Sequence, residues 1–107
     1  MGVIDEKAIA RAVQLLQQAA PGAKVIVFGS YARAGADDRS DLDFLVVEPD
    51  VQDASEEMVR LLDVLRPLRI PADVLVTSWK TFEYWADTPG TVYYEAAREG
   101  RAFDALL

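Results

Sequence analysis

The chain has 107 residues, 51% apolar and 27% charged, and its eleven basic and eighteen acidic side chains leave a formal charge of −7. Those values predict one folded domain over residues 1–107 and exclude a disordered or membrane-embedded chain. The negative field also argues against extended binding along a nucleic-acid backbone. Cysteine and histidine are both absent, which removes disulfides, Cys/His zinc sites and Cys or His nucleophile pairs. What remains for chemistry is carboxylate, hydroxyl, Arg, Lys and backbone amide, a set suited to magnesium bound through oxygen.

Ile9, Val13 and Leu16 recur at helical spacing between Ile4 and Ala20, with Asp5 as N-cap and Pro21-Gly22 as the stop, and so predict a first amphipathic helix. Lys24 to Phe28, KVIVF, is a β-branched run that ends at Gly29-Ser30 and predicts strand one. Tyr31 to Arg39 is small and polar, fitting a short helical turn and a Gly/Asp-rich loop. Asp43 to Val47, DFLVV, predicts strand two, closed by Glu48-Pro49. Met58, Leu61, Leu62 and Leu65 mark a second long helix from Asp53 to Leu65, and Asp73 to Val76 a third strand. Thr77 or Ser78 caps an aromatic helix through Trp85, and Thr91 to Arg98 is a last helix closed by Gly100. Asp5, Glu6 and Lys7 interrupt the opening stretch, and no run nears eighteen apolar residues, so a cytoplasmic protein with no membrane contact is expected.

The polar residues fix strand directions if they share one site. Gly29-Ser30 end strand one, whereas Asp41 and Asp43 begin strand two, so those two strands must run antiparallel. Asp73 begins strand three, which should then lie parallel to strand two across a helical crossover. The expected fold class is α/β (α+β), a mixed sheet with helices packed against it, distinct from Rossmann and flavodoxin-like sheets.

The stretch Gly29 to Glu48, GSYARAGADDRSDLDFLVVE, carries the chemistry. Asp41 and Asp43 are two apart, so an extended backbone points both carboxylates to one side. With Asp73 they form a cluster of like charge that needs a cation, and magnesium held by carboxylates serves phosphoryl or nucleotidyl transfer. Gly29 lets backbone approach a ligand, and Ser30 with the following amides offers donors to phosphate. No Lys follows Gly35 as a Walker loop requires, and G-x-G-x-x-G is absent.

Gly29-Ser30, ten intervening residues, Asp41-Leu42-Asp43 and the strand residue Asp73 resemble the polymerase-β-like nucleotidyltransferase superfamily. Within it, GSYAR, SDLD, the small size and YEAAREG look like the minimal nucleotidyltransferases, the antitoxin halves of HEPN/MNT toxin-antitoxin pairs. The resemblance implies a mixed-sheet nucleotidyltransferase core, ATP as substrate, two magnesium ions, transfer of AMP to a tyrosine of a cognate HEPN ribonuclease toxin, and a hetero-oligomer with that toxin. Carried over by position, Gly29, Ser30 and Arg33 would hold the triphosphate, Asp41 and Asp43 would bridge the metals, and Asp73 would complete a metal site and act as general base. One departure is Ala34, where many relatives place Gly directly after Arg; here Gly comes one position later.

Plainer roles stand beside these. Asp41, Asp43 and Asp73 are also ordinary turn residues at strand starts, Ser30 a helix cap, Arg33 a partner for Asp37 or Asp38, and Asp37 and Asp38 solvated loop. Trp79, Phe82 and Trp85 follow helical spacing and are expected against the sheet; Tyr84 with one of Tyr93 and Tyr94 would form an exposed patch for a partner. Two other functions fit the same residues: a non-catalytic antitoxin acting by binding alone, and nucleotidyl transfer to a small molecule.

Overall fold

The computed structural model describes residues 6–28 and 42–104. In chain order the elements are α1 (Glu6–Ala19), β1 (Lys24–Phe28), β2 (Leu42–Glu48), α2 (Ala54–Leu65), a 3₁₀ turn (Arg66–Leu68), β3 (Ala72–Ser78), α3 (Trp79–Trp85), α4 (Val92–Glu99) and β4 (Arg101–Phe103). The helix starts follow capping chemistry: Asp53 accepts from the Glu56 amide, Ser78 from Thr81, and Thr91 from Tyr94. The strands form one sheet in the order β3-β2-β1-β4. β1 is antiparallel to β2 and β4, and β2 is parallel to β3. The strand directions are those required by a shared site for residues 29, 30, 43 and 73.

Strand alternation divides the apolar side chains between two cores. On one face Val25, Val27, Leu42, Phe44, Val46, Val74 and Val76 pack with Ile9, Val13 and Leu16 of α1 and Leu61 and Leu65 of α2. On the other, Ile26, Phe28, Leu45 and Val47 pack with Phe82 of α3 and Ala96 of α4, joined by Trp79 and Tyr93. β1 and β2 are covered on both faces, which is why KVIVF and LVV read as unbroken apolar runs.

One strand was not foreseen, and two expectations are corrected. Residues 101–103 form a fourth strand on β1 that no apolar pattern announces; pairing with β1 and the Gln17 amide, which donates to the carbonyls of Phe103 and Asp104, hold it in place. Trp85 is not buried against the sheet. It ends a helix of only seven residues and stands edge-on to Tyr84, exposed like its neighbour. Of the named tyrosines, Tyr84 is the exposed one, at 72%, and Tyr93 packs on the second core. The expected cap Asp5, the turn Tyr31 to Arg39, and Gly29, Ser30, Arg33, Asp37, Asp38 and Asp41 lie outside the described residues.

Candidate active site

Leu42 and Phe44 are fully buried among α1 and α2, and their burial turns Asp43 to the other face of the sheet. In β3 the alternation is the same: Val74 and Val76 face α2, so Asp73 and Leu75 face away. The Leu42 amide donates to the Pro71 carbonyl at 2.9 Å and starts a register that sets Asp43 directly beside Asp73. Parallel neighbours stand about 4.8 Å apart, so two acids from separate strands share one face at adjoining positions. On the other side Asp43 pairs with Phe28, the residue bonded to Gly29. The strand-two acid, the strand-three acid and the chain leaving β1 thus meet at one end of the sheet.

That end is open. α3 starts after Ser78, at the far end of β3, and with α4 it covers Leu45, Val47, Ile26 and Phe28. Asp43 is half-buried and holds contacts of its own, and Asp73 is exposed. Two carboxylates at strand spacing repel by roughly 3 kcal/mol at an effective dielectric near 20 and by about 1 in bulk water. A cation relieves that repulsion, and an oxygen-only donor set suits magnesium. Among the described residues no group of three metal-binding side chains assembles; Asp41, the expected third acid, lies outside them.

The family model of the nucleotidyltransferase domain matches residues 8–93. The chain belongs to the nucleotidyltransferase domain family. The matched span of this nucleotidyltransferase runs from α1 into α4 and contains both described acids, together with positions 29, 30, 33 and 41. Its fold is the mixed-sheet α+β architecture of the polymerase-β-like superfamily, and its chemistry is nucleotidyl transfer. No curated protein matches the chain significantly.

A second charged cluster sits at the opposite end of the sheet. Glu48 closes β2, and its Oε2 is buried with no hydrogen-bond partner. Burial, then the hydrogen bond and charge of Glu57, push its carboxyl up from the ordinary 4.5 to about 7. Glu57 accepts from Arg60 Nε at 2.7 Å and Nη2 at 2.8 Å, and that clamp brings its own pKa down to about 2. Arg60, held more firmly protonated by Glu57, also donates to the Ala19 carbonyl at the end of α1. An open groove of about 700 Å³ lies here, lined by Glu48, Asp50, Glu56, Glu57, Arg60 and Asp63 among others. It is five residue pairs along the sheet from Asp43, so Asp43 and Asp73 take no part in it. Sequence reasoning missed this trio; the Glu57-x-x-Arg60 spacing is the signal that was present.

Proposed function

We propose that this nucleotidyltransferase moves AMP from ATP to a hydroxyl of a partner protein, a tyrosine of a HEPN-type ribonuclease toxin, and so acts as its antitoxin. The observation that carries the reading is the in-register pair Asp43 and Asp73 beside the end of β1. The acceptor is taken from the resemblance of GSYAR, SDLD and YEAAREG to the minimal nucleotidyltransferases.

The acceptor hydroxyl attacks the α-phosphorus of ATP. A new oxygen–phosphorus bond forms, the bond from the α-phosphorus to the bridging oxygen breaks, and pyrophosphate leaves. Asp73, the more exposed acid, takes the hydroxyl proton. Asp41, Asp43 and Asp73 would hold two magnesium ions, which when bound supply positive charge to the reacting phosphates. Gly29, Ser30 and Arg33 would bind and orient the triphosphate.

The test is incubation with α-labelled ATP, magnesium and the protein encoded by the neighbouring gene. Label on a tyrosine of that protein, lost with Asp73→Asn, is the expected result. Absence of transfer together with absence of nucleotide binding overturns the reading. Toxin neutralisation that survives Asp43→Asn favours neutralisation by binding alone.

A further inference from the structure

The two edges of the sheet are built differently. β4 is three residues long and carries charge at both ends: Arg101, its first residue, pairs with Glu6, and Asp104, just after it, with Lys24. Such an edge resists further pairing. β3 is seven residues long, with no Pro, Lys or Arg within it, and among the described residues nothing pairs with its outer side. All five large apolar side chains that are strongly exposed among the described residues sit on β3 or on the helices flanking it: Val59 at 63%, Leu62, Leu75 at 37%, Tyr84 and Trp85.

We infer that β3 pairs antiparallel with β3 of a second copy of this chain, about a two-fold axis at Leu75. The edge is self-complementary in that register. Because the Leu42 amide takes the Pro71 carbonyl, residues 71, 73, 75 and 77 turn their peptide groups to β2, and Ala72, Val74, Val76 and Ser78 turn theirs outward. Val74 then exchanges hydrogen bonds with Val76 of the second copy, and Ala72 with Ser78. Leu75 meets Leu75 as a close, non-hydrogen-bonded pair, and Asp73 meets Thr77, so no like charges oppose each other.

α2 is self-complementary about the same axis. One side of it holds Arg60, which reaches α1. The exposed Val59 borders the groove of Glu57 and Arg60, while Leu62 and Arg66, four residues apart, lie on another side of α2. There an apolar groove of about 360 Å³, lined by Leu62, Leu65, Ile70 and Ala72, is rimmed by Arg66 and Arg69. Two helices, each about 10 Å across, tile one face of four strands spaced about 4.8 Å apart, so the next helix position across the β3 edge falls one helix diameter away. The two-fold axis places α2 of the second copy there, antiparallel. Leu62 lies near the axis, and the basic end at Arg69 and Arg66, the latter also paired with Asp63 of its own helix, lies against the acidic first turn at Glu56. The occupant of this edge is therefore a second copy, matched in strand register, apolar groove and charge.

Analytical ultracentrifugation of the intact chain tests the inference first: the dimer mass is expected, and a monomer at high micromolar concentration overturns it. Cysteine is absent from the chain, so Leu75→Cys reports the register. A non-hydrogen-bonded pair brings its Cα atoms to about 4.5 Å, within disulfide reach. Mild oxidation should cross-link Leu75→Cys into a covalent dimer and leave Ala102→Cys on β4 uncross-linked; the reverse pattern overturns the inference. Arg66→Glu with Arg69→Glu should shift the sedimenting species to monomer with an unchanged circular dichroism spectrum. Adding Glu56→Arg should restore the dimer, and failure of that rescue overturns the placement of α2.

Discussion

Replacing Glu48 by Gln keeps the side chain's shape and removes a charge that folding disfavours. Glu48 titrates near 7 in the folded chain instead of 4.5, so its contribution to stability is complete below pH 4.5 and is lost as the pH climbs through about 7. Glu57, brought down to about 2, behaves oppositely: its contribution is present above pH 4.5 and is lost as the pH falls through about 2. The pair therefore helps most around pH 4 to 5 and works against itself at pH 8. A shift of this size is worth roughly 3 kcal/mol at full strength, and about 1–2 kcal/mol once contact with water is allowed for. Gln cannot ionise, and its amide donates to Glu57 at every pH. Glu48→Gln should therefore raise stability at pH 8 by about 1–2 kcal/mol, or the melting temperature by about 4–10 °C, with little change near pH 4.5. Thermal unfolding followed by circular dichroism at pH 4.5, 6 and 8 measures the difference. A lower melting temperature for the variant at pH 8, or a gap that does not widen between pH 4.5 and 8, refutes the reasoning.

Asp73→Asn should lower nucleotidyl transfer by about 10²–10⁴-fold, read as label incorporation, while the melting temperature stays level or rises because a repulsion is removed. Phe44→Ala empties the centre of the α1/α2 core and should cost about 3–5 kcal/mol in urea unfolding. Gly100 has ordinary backbone angles, yet a Cβ there would run into the Ile26 side chain and the Ala96 carbonyl. Gly100→Ala should cost about 1–3 kcal/mol by the same measurement, and a neutral result would show that α4 can move off β1.

The strand directions were legible because chemistry constrained them. If residues 29, 43 and 73 are to meet, β1 must oppose β2, and β2 must run with β3, and the register bears out both directions. The facing of Asp43 was equally legible, since Leu42 and Phe44 can only go inward. Trp85 was misread because helical spacing predicts a buried face only while the helix continues, and α3 ends at that residue. β4 was invisible because Arg101 and Ala102 hold no apolar alternation, and their strand exists only through β1 and Gln17. Glu48 looked like a strand terminator beside Pro49; its shifted proton depends on Glu57, nine residues on, which only folding brings near.

In most sheets with parallel strands, ligands gather beyond the strands' carboxyl ends, where each strand hands over to its helix. Here Asp43 and Asp73 stand at the amino ends of β2 and β3, and the crossover leading out of β2 starts at the far end of the sheet from them. A tag or tether joined at Asp50 or Gln52, which flank the core-packed Val51, should therefore leave Asp43 and Asp73 in register.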